Sequence, residues 1–356
     1  MTPSRFRRIL GNGPMKFDIG ILASQPLPVI VEQVRLAESL DFDTAWIADT
    51  HLVCRELWVV LAACAAATSR IRLGPGITVP HTRHISVTAS AIATLHELAP
   101  GRVVLGIGTG GSAAETMGLS VAKVARVATL EAMADALTRL LGGESMRLDN
   151  GAAARLAWLP GPIDVPLYLA GSGPRMLDAA GRLGDGAIMY SGVAPRLVEA
   201  ALGCVAAGAR RAGRDADGPA GLPRELDVAI WAPTSIDRDR ALARDHVRGR
   251  VASALRHAFP VTWSAEEQAV IGQVRAAYDS YQHATAGSTH RQLVTDHFVD
   301  LMALAGRPEE VRDQVRALSA VAGVSRIILL PQVPGQDFVQ REQVLRLFAD
   351  EVRARL

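Results

Sequence analysis

The chain has 356 residues, enough for one large α/β domain or two smaller ones. Hydrophobic residues make up 49%, ample for a buried core, and 38 Lys+Arg nearly cancel 36 Asp+Glu, so charge argues for neither a nucleic-acid nor an anionic-membrane partner. Cys54, Cys64 and Cys204 are too scattered for a disulfide framework or a zinc site, and no apolar run is long enough to span a membrane; a soluble, cytoplasmic protein is expected.

Residues 1–14 place Arg5, Arg7 and Arg8 beside Gly11-Asn12-Gly13-Pro14 and are expected to form a flexible N-terminal extension, with Met15 as a possible true start. One domain, residues 15–356, is expected to follow. Apolar runs and helical periodicities then alternate along the chain. Strands are expected at Phe17–Leu22, Thr44–Ala48, Ile71–Thr78 and Val103–Ile107, with helices at Pro28–Leu40, Leu57–Ala67, Ser86–Leu98 and Val121–Leu141. Met146–Pro160 has the composition of a hairpin or loop. Val165–Ala170 and Ala187–Tyr190 are the next strands, with a helix between them, and helix Pro195–Arg211 precedes strand Leu226–Ala232. Residues 238–300 break the rhythm and form a mostly helical insertion. Helix Pro308–Leu318, strand Arg326–Leu330 and helix Phe338–Arg355 close the chain. Eight strands, most followed by a helix, predict a (β/α)8 barrel rather than a doubly wound sheet.

In such a barrel the site lies where the strands end. The second strand ends in Asp49-Thr50-His51, and the third in Gly74-Pro75-Gly76-Ile77-Thr78-Val79-Pro80-His81-Thr82-Arg83-His84. The fourth ends in Gly106-Ile107-Gly108-Thr109-Gly110-Gly111-Ser112, with Glu115 beyond, and the sixth in Tyr190-Ser191. Gly106, Gly108 and Gly111 fit G-x-G-x-x-G, but mid-chain and before a stretch that opens no firm helix, so the pattern is a weak sign of dinucleotide binding. His81 and His84 lack a carboxylate partner at ligand spacing, and no metal is expected.

The fifth strand runs into Gly171-Ser172-Gly173-Pro174-Arg175. Pro174 suits a first helical turn, and bare amides beside a guanidinium make a ready anion site. A turn that merely needs glycine φ angles is the alternative reading.

Together these stretches resemble the luciferase-like family of flavin and deazaflavin oxidoreductases. The likeness runs from Met15 to Leu356 and is most specific in GPGITVPHTRH (74–84), GRVVLGIGTG (101–110) and PLYLAGSGPRMLDAAGRLGDGAI (166–188). FVDLMALAGRPEEV (298–311) is similar to the coenzyme F420-dependent branch, nearest its methylenetetrahydromethanopterin reductase-like members. The resemblance implies F420 as cofactor, with FMN and a monooxygenase activity as the alternative, and a homodimer. It also implies a bulge with a cis peptide at Gly76-Ile77 that, with Thr78, backs the cofactor ring. Thr109, Gly110, Ser191 and the turn Gly171, Ser172, Gly173, Pro174 and Arg175 match positions that hold the cofactor's side chain and phosphate. The activity implied is hydride transfer between the deazaflavin C5 and a small organic substrate. Asp49 and His51 are the candidates for handling the proton, with Glu115 in reserve; a helix cap and a solvated loop charge are their structural alternatives. A barrel that binds a flavin without turnover is a third possibility. Two departures bear on substrate. Gly111 replaces the glutamate of F420-dependent glucose-6-phosphate dehydrogenases, and Gly20 replaces a glutamate of the methanogen reductases.

Overall fold

The computed structural model describes residues 14–120, 127–148, 150–279, 288–333 and 337–356. Its first half comprises β1 (Lys16–Ile21), α1 (Leu27–Ser39), β2 (Thr44–Ile47), α2 (Leu57–Ala67), β3 (Arg72–Pro75), α3 (Ile85–Leu98) and β4 (Leu105–Ile107). After α4 (Gly111–Thr116) and α5 (Val127–Leu141), β5 (Met146–Arg147) and β6 (Ala153–Ala154) pair as an antiparallel hairpin. The alternation resumes with β7 (Leu167–Gly171), α6 (Pro174–Leu183), β8 (Gly186–Met189), α7 (Pro195–Arg211) and β9 (Asp227–Ile236). Helices α8 (Arg240–Ala254), α9 (Ala265–Ala277), α10 (Thr289–Gln292) and α11 (Asp296–Met302) make up the insertion. The chain ends with β10 (Leu304–Gly306), α12 (Pro308–Ser319), β11 (Arg326–Pro331) and α13 (Phe338–Leu347).

Eight parallel strands run in the order β3-β2-β1-β11-β9-β8-β7-β4, and bridges from Leu73 to Val103 and from Thr78 to Ile107 join β4 back to β3. The sheet is thereby closed into the (β/α)8 barrel the alternation predicts. Strand β10 pairs with the far end of β9, which is why β9 runs on to Ile236 rather than stopping at Ala232. Other boundaries also shift. Strand β3 stops at Pro75, because residues 76–79 leave the ladder as a bulge. A short helix, α4, does open at Gly111, with Gly110 before it in the left-handed region at φ 62°. The last helix gives way after Leu347 to a π turn and a 3-10 turn. The expected start of α5, residues 121–126, lies outside the described residues, as does all but Pro14 of the N-terminal extension.

Alternation along the strands sends one set of side chains out to the helices and the other into the barrel. The inward layer is Trp46, Val104, Tyr168, Ile188, Ala229 and Ile328, with Ile77, Ala170 and Trp231 packed against it. The insertion has a separate core, in which Val247 and Val251 of α8 and Leu255 just after it meet Ile271, Val274 and Phe298. Ser264 and Glu267 form a capping box that starts α9.

The N-terminal ends of the strands hold a charge cluster. Arg326 is fully buried and bonds Asp18 at 2.7 Å, Asp43 at 2.6 Å and Asp227 at 3.1 Å. Trp46 Nε1 donates to Asp18 at 2.8 Å, the Tyr168 hydroxyl donates to Asp227 at 2.7 Å, and Arg72 adds a second cation on Asp43. Burial pushes the Asp18 carboxyl up to about 6 against the pull of Arg326. Burial works the same way on Asp43 and Asp227, but there the arginines outweigh it and hold both below the usual range.

Candidate active site

At the opposite end of the barrel, the loops after β2 and β3 meet around Asp49. Its carboxylate is buried and accepts from Arg83 at 2.6 and 3.2 Å, a bidentate pair, and from the Thr78 hydroxyl at 2.9 Å. Arg83 also donates to Glu56 at 2.7 Å and lies 5.9 Å from the Trp58 ring centre. With three donors on it, Asp49 serves as an anchor and acceptor rather than a proton donor. His51 is half-buried beside it. The 3.8 Å from its Nδ1 to Asp49 Oδ1 exceeds a hydrogen bond, and that nitrogen has no partner among the described residues. Both ring nitrogens of His81 are likewise buried and unpartnered. Burial, and then the neighbouring His51, hold His81 below its ordinary value, so its imidazole is neutral at pH 7.

The peptide between Gly76 and Ile77 is cis, as the family resemblance implied. Two bonds tie the bulge to β4: Thr78 N donates to Gly106 O at 3.0 Å, and Gly108 N to Thr78 O at 3.1 Å. A Cβ on Gly108 would sit 2.6 Å from Ile77 Cδ1, and one on Gly110 would sit 2.0 Å from Val79 Cγ1. These glycines let the two loops approach. Thr109, half-buried, lies between them.

The glycine turn after β7 divides into two roles. A Cβ on Gly171 would lie 2.4 Å from Met176 Cβ, so that glycine serves packing. Gly173 has φ −84° and ψ 156°, open to any residue, and a Cβ there would meet only Ala258 at an ordinary 3.6 Å. Neither backbone angle nor packing within the protein requires glycine there. The turn opens α6 with no side-chain cap on its first amides; Ser172 is half-buried, and Pro174 and Arg175 are exposed beside it. Bare amides at this helix start suit an anionic group.

The insertion covers this side of the mouth. Arg256 donates to Glu115 at 2.5 Å and lies 4.3 Å from the Tyr278 ring centre. Glu115 therefore ties the loop after β4 to the insertion. His257 packs edge-on to Tyr190 with ring centres 5.8 Å apart, and Ser191 next to it is wholly buried. On the β1 side, Gly20 lies under the Trp231 indole: a Cβ there would be 2.9 Å from Trp231 Cη2. The space a glutamate would take is occupied by that ring.

The site thus brings a helix start with uncapped amides, a bulged strand end and the side chains of Asp49, His51 and His81 to one barrel mouth. That is the layout of a cofactor-dependent oxidoreductase built on a (β/α)8 barrel. The chain belongs to the luciferase-like monooxygenase family, whose model matches residues 11–326. It is 33% identical over 328 residues to the 5,10-methylenetetrahydromethanopterin reductase of Methanolobus tindarius, covering 88% of this chain and 93% of that protein. It is 33% identical over 260 residues to an F420-dependent glucose-6-phosphate dehydrogenase of Nakamurella multipartita, covering 68% of this chain and 74% of that protein. Among solved structures, the coenzyme F420-dependent tetrahydromethanopterin reductase of Methanopyrus kandleri superposes with a TM-score of 0.77 at 27% identity, covering 96% and 99% of the two chains.

Arg83, His81, Trp231 and Arg256 do not stand out as site residues in the sequence reading. Arg83 and His81 lie inside the quoted 74–84 motif, and a second charged residue in a strand-end loop already holding Asp49's neighbours is the signal that could have found Arg83. Trp231 could have been found as the one large aromatic in an otherwise small-residue strand.

Proposed function

We propose that this chain is an F420-dependent oxidoreductase that transfers a hydride between the deazaflavin and a small organic substrate at the barrel mouth. The observation that carries this reading is the likeness, along almost the whole chain, to an F420-dependent reductase of the same fold. The turn at Gly173 supports it, being glycine where the protein itself has no need of glycine.

When bound, F420 supplies two-electron chemistry at the deazaflavin C5. Gly171, Ser172, Gly173, Pro174 and Arg175 would hold its phosphate, with Thr109, Gly110 and Ser191 along its side chain. Gly76, Ile77 and Thr78 would close one face of its ring. His51 is the residue to exchange a proton with substrate, and His81 stands beside it as a neutral imidazole. Asp49, fixed by Arg83 and Thr78, sets the wall against which His51 turns. Glu115 acts through Arg256, holding the insertion over the mouth of a single domain. Gly111 in place of an acid speaks against sugar-phosphate oxidation, and the indole over Gly20 against an acid-assisted pterin reaction. The exposed Val59 on α2 and Val87 and Leu98 on α3 offer an apolar face for the homodimer that the resemblance implies. Among the described residues no helix is long and apolar enough to cross a membrane, and a cytoplasmic location belongs to this reading.

Titration of purified protein with F420 and separately with FMN, followed by a turnover assay, tests the function. F420 binding with reversible deazaflavin reduction is expected. Tight FMN binding with oxygen consumption and no F420 binding would overturn it, and binding without any turnover would leave a carrier. Elution as a single-chain species on size exclusion would overturn the dimer.

A further inference from the structure

Three successive residues just after α8 reach three neighbouring strand ends. Arg256 Nη2 donates at 2.5 Å to Glu115, in the loop after β4. His257 packs edge-on to Tyr190, which follows β8 and whose N donates to Gly171 O at 3.0 Å. Ala258 faces the turn after β7: a Cβ on Gly173 would come 3.6 Å from Ala258 Cβ and 3.8 Å from Ala258 O. Strand β7 pairs with β4 on one side and β8 on the other. Residues 256–258 therefore arch over the end of β7, where the uncapped amides of α6 begin. The register of Ile107 on Leu169 keeps Thr109 and Gly110 beside the same turn.

Arg256 is held in this arch from two sides, by Glu115 and by the Tyr278 ring, whose centre lies 4.3 Å from the guanidinium carbon. The ion pair is partly exposed, so by itself it adds at most about 1 kcal/mol to stability. Its larger consequence is position. A guanidinium carries five donors, and the bond from Nη2 to Glu115 leaves others for a second oxyanion. Arg175, at the turn itself, is exposed, and an anion bound by it would have to order a long side chain. Glu115 and Tyr278 have already met most of that cost for Arg256. The small residues fit the same picture. Gly173 has no backbone or packing need for glycine, and Ala258 opposite it is exposed. A larger side chain at either position would fill the gap between turn and arch.

We propose that Arg256 is a further cofactor-binding residue, donating to the cofactor's phosphate across the gap between Gly173 and Ala258, with Glu115 as its positioning residue. This rests on the reading of the Gly173 turn as the cofactor's phosphate site. An anion there meets the α6 amides on the barrel side and a guanidinium on the insertion side. Binding it ties the insertion to the barrel.

Titration of F420, and separately of FMN, into wild type, R256Q, R256K, A258L, R175Q and E115Q at several salt concentrations tests this, with ligand absorbance as the signal. R256Q should bind F420 about tenfold or more weakly than wild type. Its log Kd should also depend less steeply on log salt, because one charge contact is gone. R256K should recover part of the loss, since it keeps the charge without the fork. A258L should bind about fivefold or more weakly at an unchanged melting temperature, by filling the gap. R175Q and E115Q should fall between wild type and R256Q, and E115Q added to R256Q should weaken binding no further. F420 affinity of R256Q equal to wild type would overturn the proposal. So would a weakened affinity that keeps the wild-type salt dependence and comes with a lowered melting temperature. If FMN binds wild type in place of F420 and shows the same R256Q contrast, the F420 reading fails and the role of Arg256 stands. If neither ligand binds wild type, both fail.

Discussion

The two ends of the barrel treat charge in opposite ways. At the base, Arg326 and Arg72 are enclosed by Asp18, Asp43 and Asp227, with Trp46 and Tyr168 donating to the carboxylates. At the mouth, His51 and His81 keep buried ring nitrogens that no described residue satisfies. Buried polar groups in a folded protein are ordinarily paired, and among the described residues at the base only Arg326 Nη2 lacks a hydrogen bond, though it lies 3.1 Å from Asp227; two neighbouring imidazoles without partners at the strand ends are therefore where a ligand is to be sought. The base closes the barrel; the mouth waits for a ligand.

The largest test of that contrast is at the base. Arg326→Ala would leave the buried Asp18 and Asp227 and the half-buried Asp43 without their shared cation and is expected to cost about 3–5 kcal/mol, read by chemical denaturation. The pH dependence has a definite sign. Asp43 and Asp227 lie below their unfolded values, so their contribution is present above about pH 4 and is lost as the pH falls through their folded values. Asp18, raised to about 6, works oppositely and costs stability as pH rises from about 4 to 6. Asp227→Asn should therefore blunt the acid unfolding of the wild type. An Arg326→Ala protein as stable as wild type would erase the distinction between the two ends.

The next effect belongs to the mouth and should leave stability alone. His51→Gln is expected to lower kcat by about a hundredfold, the usual scale for a lost proton-transfer group, with cofactor affinity retained. Glu115→Gln should instead loosen the tie to Arg256 and raise KM more than it lowers kcat. If the two variants behave alike, His51 is not the proton-handling residue.

Smaller again is the difference between two glycines. Gly173→Val should weaken F420 binding at least tenfold, about 1.4 kcal/mol, at unchanged melting temperature. Gly171→Val collides with Met176 and should lose about 1–3 kcal/mol of stability. Unchanged F420 affinity in Gly173→Val would move the anion site elsewhere.

What the sequence makes legible follows from what is local. Apolar runs and glycine turns are neighbours in the chain, so the strand count and the turn at Gly171–Pro174 could be read directly, whereas the Gly76-Ile77 bulge followed only from the family resemblance. The charge cluster could not, because Asp18, Asp227 and Arg326 come from three strands and Asp43 from the turn before β2, and they meet only when the barrel closes. Arg83 on Asp49 and Arg256 on Glu115 are long-range pairs of the same kind. Their one local trace is a charged residue beside or within an apolar run, as in Lys16-Phe17-Asp18 and Arg326-Ile327-Ile328. The short helix α4 shows a different limit: six residues after a left-handed glycine are fixed by the approach of Val79 to Gly110, not by their own periodicity.

The smallest effect separates an imidazole that waits for a ligand from one that is merely enclosed. Burial, then His51, keep His81 below the ordinary histidine value. Its unfolded form therefore takes up a proton near pH 6.5 while the folded form does not, and stability falls as the pH drops through that window. His246, His257 and His290 are also depressed by burial, so wild type alone cannot resolve the contribution of His81. The measurement is the difference between wild type and His81→Gln from pH 7.5 to 5.5. Solvent near the loop keeps that difference to at most about 1 kcal/mol. Added F420 supplies the second half of the test. If the ring nitrogens of His81 face the bound cofactor or substrate, ligand should change the pH slope of wild type and leave that of His81→Gln unmoved. A slope that is the same with and without ligand would make His81 an enclosed loop residue and return the proton chemistry to His51 alone.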